Sequence, residues 1–414
     1  MEIHVIRGKK HIYNADILQK AAFKTNINSL AGIYIHIPFC RQACYYCNFH
    51  FSTSQELKDE MIAALLKEID LTVLPPYTTG SENEIIETIY FGGGTPSLLN
   101  DAGIKSILTS IKNNYFTSED VEITIEANPD DVTAEKLIAW KDAGINRLSI
   151  GIQSFKEQDL AWMNRAHNRT QAIECLLLAK EAGFNNFSAD LIYGTPGLTD
   201  EEWKLNVDQL INLDAPHIAC YALTVEPNTA LQKMISLKKK ADINPDQQAR
   251  QFLLLMKWMR AAGYEHYEIS NFAKPGSRSR HNSSYWQGKK YIGIGPSAHS
   301  YDGRVRKWNV ANNALYIGSI KKDIIPFEEE KLTDVQRLNE YIMTSLRTIE
   351  GLDLEIVEKN FSPGKKATIK NAVRSYYEKK LVLIDNEKLV LTDEGKLFAD
   401  GIAAHLFSFP ETLH

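Results

Sequence analysis

Short apolar runs that end in glycine or a polar turn recur through the first half of the chain, at residues 32–39, 88–94, 121–128, 147–154, 186–194 and 217–226. Their length and their β-branched and aromatic content predict six strands. Between them apolar residues return at helical spacing, as over 56–74, 134–142 and 170–182, the last running into Gly183 as a stop signal. Alternating strand and helix predicts parallel strands joined by right-handed crossovers, so an α/β barrel or an open doubly wound sheet is expected. Both gather ligands at the carboxyl ends of their strands. After residue 226 the rhythm weakens. Lys238, Lys239 and Lys240 read as a solvated face, residues 245–262 as an amphipathic helix, and YEHYEISNF as a strand followed by a loop rich in Gly, Ser and Arg. From Lys331 the pattern changes again. Thr333 and Asp334 can cap a helix whose Leu338, Tyr341, Ile342 and Leu346 share one face, and a second helix is expected over 367–379. LVLI, a turn at Asp385 and Asn386, KLVL and a final helix from about residue 393 give the order of a winged-helix module.

Length and composition narrow the class. A chain of 414 residues is long enough for two or three domains at roughly 150 residues each. With 44% hydrophobic and 24% charged residues it is an ordinary globular protein. A net charge of -5 argues against a nucleic-acid binder, and the winged-helix-like segment from Lys331 onward balances 12 basic against 13 acidic residues. No run approaches the 18 or so apolar residues of a membrane span, and the first residues lack the apolar core of a secretory signal, so a cytoplasmic location without an anchor is expected. Five cysteines, three of them within eight positions, make a poor disulfide framework and point to metal.

The strongest chemical signal is Cys40, Cys44 and Cys47 in IPFCRQACYYCNF, directly after the first expected strand. Three thiolates on one short loop can hold three irons of a [4Fe-4S] cube and leave the fourth open to a non-protein ligand. The competing reading is a zinc knot completed by His36 or His50. One strand later, the glycines of Phe91-Gly92-Gly93-Gly94-Thr95-Pro96 allow backbone to approach a ligand closely. Glu126, Gln153, Arg165 and Asp190 return to the same rim at successive strand ends. There Glu126 and Gln153 suit ribose hydroxyls and Arg165 a carboxylate.

The cysteine spacing resembles that of the radical S-adenosylmethionine (SAM) superfamily. IYIHIPFC, YFGGGTPS, the EANP segment, SIGIQSF and DLIYGTPG together resemble its HemN/HemW branch, over roughly residues 32–414. That resemblance implies a partial (β/α)6 barrel over 32–230, a barrel extension and connecting segment over 231–330, and a smaller winged-helix-like α+β domain over 331–414. Residues 1–31 are an N-terminal extension of unassigned role. It also implies a [4Fe-4S] cluster on Cys40, Cys44 and Cys47, and SAM against Tyr34, Tyr46, Gly93, Gly94, Thr95, Glu126, Gln153, Arg165 and Asp190.

Two departures divide the branch. Oxygen-independent coproporphyrinogen III dehydrogenases continue the motif with a fourth cysteine where this chain has Phe49. They also carry a tyrosine-bearing N-terminal segment with no counterpart before Ile33. Instead, His281-Asn282-Ser283-Ser284-Tyr285-Trp286 resembles the HNxxYW segment associated with haem in the chaperones of the branch. It implies His281 as an iron ligand with Tyr285 and Trp286 beside the macrocycle. Lys274, Arg278 and Arg280 are candidates for the haem propionates. The reading is a haem chaperone that delivers haem to haem-requiring proteins, respiratory membrane complexes among the expected recipients, with a homodimer and peripheral membrane contact also implied. Its rivals are an oxygen-independent coproporphyrinogen III oxidase of porphyrin biosynthesis and a radical SAM enzyme for another substrate. Cys175 and Cys220 read as small core residues, and His299 as more often structural than pocket-lining.

Overall fold

The computed structural model describes residues 32–75, 77, 85–361 and 363–408, so the extension 1–31 lies outside the described residues. All six expected strands form: β1 (Gly32–Ile37), β2 (Ile85–Gly93), β3 (Phe116–Ala127), β4 (Arg147–Gln153), β5 (Phe187–Tyr193) and β6 (His217–Ala222). They pair in chain order and in parallel. Their residues alternate in character. Ile33, Ile35, Ile37, Ile89, Phe91, Ile123, Ile125, Leu148 and Ile150 join the buried apolar core. Polar residues occupy the alternate positions: Tyr34 and His36, Thr88 and Tyr90, Glu122, Thr124 and Glu126, Arg147 and Ser149, Ser188 and Asp190. A strand's side chains change face at every residue, so one face carries oil under the helices and the other lines a polar lumen. This is the partial (β/α)6 barrel.

Segment 231–330 extends both edges of that sheet. Beyond β6 lie β8 (Asn271–Ala273) and β7 (Glu265–Glu268), both antiparallel. Beyond β1 lie β9 (Tyr291–Ile294), parallel to it, then antiparallel β10 (His299–Tyr301), β11 (Val305–Asn309) and β12 (Phe327–Lys331), giving a twelve-stranded sheet. Sequence missed β9 to β12 because they are three to five residues long and broken by left-handed Gly295, Ser297 and Gly303. YEHYEISNF is not one strand but a hairpin. Its turn is fixed because the Ile269 amide is taken by Arg347 O (3.0 Å) and the Glu268 carboxylate accepts the Ser270 amide (3.2 Å).

The helix Asp334–Leu346 starts with the expected Thr333 cap, completed into a box by Gln336. With β13 (Leu352–Asp353), β14 (Val382–Asp385) and β15 (Lys388–Leu391) it builds a second core around Leu338, Ile342, Val357, Val382 and Ile402. The expected helix over 367–379 is two, Lys365–Ala372 and Arg374–Glu378, because pairing tightens at Val373, whose carbonyl accepts the Tyr376 amide. Lys238 and Lys239 are exposed as expected, but Lys240 is not simply solvated. It sits 4.5 Å from the Trp162 ring centre and 5.1 Å from that of Tyr45, clamping the cysteine loop.

Glu68, on the helix Lys58–Thr72, ties this helix to the sheet extension. It accepts the Gly295 amide (2.7 Å), Asn309 Nδ2 (2.6 Å) and the Tyr316 hydroxyl. Burial pushes its pKa up from 4.5 to about 7. Between those values the folded chain keeps a proton that the unfolded chain releases, so this group's contribution to stability falls as pH rises through the window. Relative to Glu68→Gln, the parent should lose roughly 2–3 kcal/mol between pH 4.5 and pH 7. Urea midpoints across that range would show it, and a constant offset between the two proteins would contradict it.

Candidate cluster and cofactor site

At the carboxyl ends of the strands lies a cavity of about 460 Å³. Cys40, Cys44 and Cys47 all face it from the loop after β1. The loop is pinned on every side. The Cys40 amide bonds Ser52 O (3.0 Å), the Tyr45 amide bonds Met163 O (3.1 Å), and Tyr45 O accepts the Leu231 amide (2.8 Å). Gln42 and Asn164 exchange side-chain bonds with each other's backbone segments, at 2.9 and 2.7 Å. Burial pushes the Cys40 thiol up to about 11 and raises that of Cys47 as well. Iron binding there therefore displaces protons.

The glycine turn is a close-packed junction. Gly94 N bonds Ile37 O (2.9 Å) and Thr95 N bonds Phe39 O (2.7 Å), which locks the end of β2 against the residue before Cys40. Thr95 Oγ1 also donates to Cys40 Sγ (3.4 Å). Gly93 adopts a left-handed φ of 112°, and a side chain there would meet the His36 ring. Across the cavity, Gln153 is also left-handed, at φ 66°, beside a register shift between β4 and β5. That irregularity ends the strand and turns the residue toward the cavity.

Arg165 crosses the floor. Its Nη1 donates to Cys44 Sγ (3.3 Å) and its Nη2 to Asn128 Oδ1 (2.7 Å) and Gly151 O (2.8 Å). Its buried Nε has no partner among the described residues. Glu126 and Asp190 bring two carboxyls to the wall, pushed up by burial to about 7 and about 6. Tyr90 donates to Glu126 (2.8 Å), and Ser188 to Asp190 (3.1 Å). Tyr46, Gly93, Gly94, Thr95 and Gln153 complete the expected set on this lining. The exception is Tyr34, which stands one layer deeper, stacked on Tyr90 at 6.1 Å. Three thiols, a glycine cradle, paired acids and an arginine with an orphaned N–H fit an iron-sulfur cluster beside a polar cationic ligand. Zinc fits less well. His36 Nε2 is held by His50 O (2.9 Å) and His50 Nε2 by Asn313 Oδ1 (2.8 Å), and no three His, Cys, Asp or Glu side chains among the described residues close on one ion. Sequence reading missed Tyr90 and Asn128, both of which stand inside the quoted motifs and at lumen-facing or strand-end positions.

The HNxxYW segment lies apart from this cavity. It forms the helix Arg280–Trp286, packed against β2 inside the lumen. His281 is 1% exposed. Its Nδ1 pairs with Thr88 Oγ1 (2.7 Å), its Nε2 with the Tyr285 hydroxyl (2.9 Å), and burial beside Arg147 pushes its pKa down to about 3. Both ring nitrogens are hydrogen-bonded in this arrangement. Tyr285 packs edge-on against His281 and Tyr291, and Trp286 lies 5.6 Å beneath the Arg347 guanidinium. The candidate propionate cations are also engaged: Lys274 with Asp214, Arg278 with Glu265 and Glu350 (both 2.7 Å), and Arg280 with Asp120 (3.0 Å). Cys175 and Cys220 are buried core residues as expected, and His299 is an exposed β10 residue near Trp308.

Residues 34–210 match the Radical SAM superfamily, and residues 332–398 match the HemN C-terminal domain. A protein described as heme chaperone HemW from Bacillus subtilis is 34% identical over 378 residues, covering 90% of this chain and 98% of the relative. HemW from Mycobacterium tuberculosis is 31% identical over 380 residues, covering 91% and 94%. Among solved structures, coproporphyrinogen III oxidase (HemN) from Escherichia coli superposes with a TM-score of 0.79 at 23% identity, covering 96% of this chain and 94% of that one, which shows a shared fold.

The junction beneath the cysteine loop gives a direct check. A methyl group on Gly94 would lie 2.6 Å from Phe39 O and 2.9 Å from Phe39 N, both rigid backbone. Gly94→Ala should therefore destabilise the chain by roughly 1–3 kcal/mol, read as a lower denaturation midpoint. A midpoint equal to the parent's would contradict the close packing.

Proposed function

The chain belongs to the heme chaperone HemW family within the radical SAM superfamily, and on that premise we propose that it is a haem chaperone built on a radical-SAM scaffold. The observation that carries this reading is similarity to HemW along nearly the whole of both chains, the HemN-type C-terminal domain included. Phe49 in place of a fourth cysteine agrees with it. Cys40, Cys44 and Cys47 would hold a [4Fe-4S] cluster, with SAM in the adjoining cavity. When bound, the pair supplies one-electron cleavage of a sulfonium.

The chain's own residues do the holding. Gly93 and Gly94 bring bare backbone to the cavity wall beside the cluster loop, where it would meet an amino group. Glu126 and Gln153 offer acceptors and a donor to ribose hydroxyls, and Arg165 offers a guanidinium to a carboxylate. Asp190 keeps the wall acidic and Tyr46 closes the loop side. Haem is cargo, bound for transfer to haem-requiring proteins, respiratory ones among them. Among the described residues no helix is long and apolar enough to cross a membrane, so membrane recipients would be met at the surface. Cluster loading is proposed to favour a homodimer.

Anaerobic haem titration of the cluster-loaded parent and of Cys40→Ala tests the reading. We expect a saturable Soret shift in both proteins, with the iron-sulfur absorbance lost only in the variant. Coproporphyrinogen III should survive incubation with the parent, SAM and reductant. A titration without saturation, or consumption of the porphyrinogen, would transfer the assignment to the oxidase reading.

A further inference from the structure

The helix Arg280–Trp286 touches two things at once. At its start, Ser279 caps it, and the buried Glu122 carboxylate accepts the amides of Arg280 (3.2 Å) and His281 (3.0 Å). This anchors the helix to β3, the strand that carries Glu126 four residues on. The His281 ring then stacks on Tyr90 at 4.8 Å and 21°. Tyr34 stacks on the same ring at 20°. Tyr90, on β2, spends its hydroxyl on Glu126. At the far end, Trp286 lies under Arg347, which follows the first helix of the C-terminal domain and also pairs with Asp400. Residues 347–349 are bonded to the β7–β8 hairpin, through Arg347 O to the Ile269 amide (3.0 Å) and the Ile349 amide to Tyr267 O (3.0 Å).

A phenol aimed at a carboxylate has two ring faces and a free torsion, so its direction is set by what it stacks on. We propose that His281 to Trp286 form a positioning relay: His281 and Tyr34 hold the Tyr90 ring, Tyr90 fixes the Glu126 carboxylate at the cofactor wall, and Trp286 makes that arrangement depend on the seated C-terminal domain. His281 is then a positioning residue for the SAM site. The inference rests on the cofactor assignment above.

The test measures SAM affinity by equilibrium dialysis on anaerobically cluster-loaded protein, with haem titration run in parallel. The variants are Tyr90→Phe, which removes one hydroxyl, His281→Phe, Trp286→Ala and the Tyr90→Phe/His281→Phe pair. The relay predicts SAM binding weakened about tenfold in Tyr90→Phe and His281→Phe, with the double variant no worse than the weaker single one, as for residues that act as a unit. Trp286→Ala should weaken SAM binding in the same direction, while cluster iron stays at parental levels throughout. Should His281→Phe fold poorly, Tyr90→Phe alone decides: parental SAM affinity in that variant overturns the relay. Loss of haem binding in His281→Phe with SAM binding intact also overturns it and supports the ligand reading. A parent that binds no SAM would remove the cofactor assignment as well, an outcome distinct from parental binding with indifferent variants.

Discussion

Everything in the barrel follows from the polar residues that its strands point inward. Parallel strands in most α/β proteins are apolar on both faces, because helices or core cover both. Here Thr88, Tyr90, Glu122, Glu126, Arg147, Ser149, Ser188, Asp190 and His217 face a lumen closed to bulk water over much of its depth. Each must find a partner there or bear the cost of desolvation. They find one another: Tyr90 with Glu126, Ser188 with His217 (2.8 Å), and His217 with Tyr267 (2.8 Å). Arg147 remains only partly satisfied, its Nε and Nη2 without partners among the described residues, yet its charge offsets part of the burial that raises the Asp190 carboxyl and adds to the burial that lowers the imidazoles of His217 and His281. A lumen so constrained gives the cofactor wall a fixed direction before any ligand arrives.

The two ends of this lumen divide the labour. At the carboxyl end Glu126, Asp190 and Arg165, the last with an unused N–H, open onto the cavity of the cysteine loop. At the amino end the helix Arg280–Trp286 fills the space and spends its own polar groups on Thr88 and Glu122. The lysine and arginines beside it are ion pairs that seat this helix and its flanking segments on neighbouring elements. The cysteine loop thus stands at one end of the lumen and the helix Arg280–Trp286 at the other, with the C-terminal domain bearing on that helix through Arg347.

What was legible in the sequence was whatever has a period or a spacing. The six strands, the cysteine triplet, the Thr333 cap and the Asp385-Asn386 hairpin all follow from local rules, and the structure places each within a few residues. Partner choice was not legible. Nothing local says that Nδ1 of His281 meets Thr88, or that Lys240 lies over Trp162, since these contacts join residues 193 and 78 apart through the fold. The short edge strands β9 to β12 escaped because pairing, not propensity, makes them strands. Tyr90 escaped although it stands at an inward position on β2, in register with Thr88 and Gly92. Applying the two-residue alternation to that strand would have found it.

The measurement that bears most directly on the account is the electron paramagnetic resonance spectrum of the reduced, cluster-loaded chain before and after SAM is added. A cluster held by Cys40, Cys44 and Cys47 with one iron open should change its signal on SAM addition, and Cys44→Ala should show no such cluster. A signal indifferent to SAM, or a cluster that loads equally well without Cys44, would contradict the account.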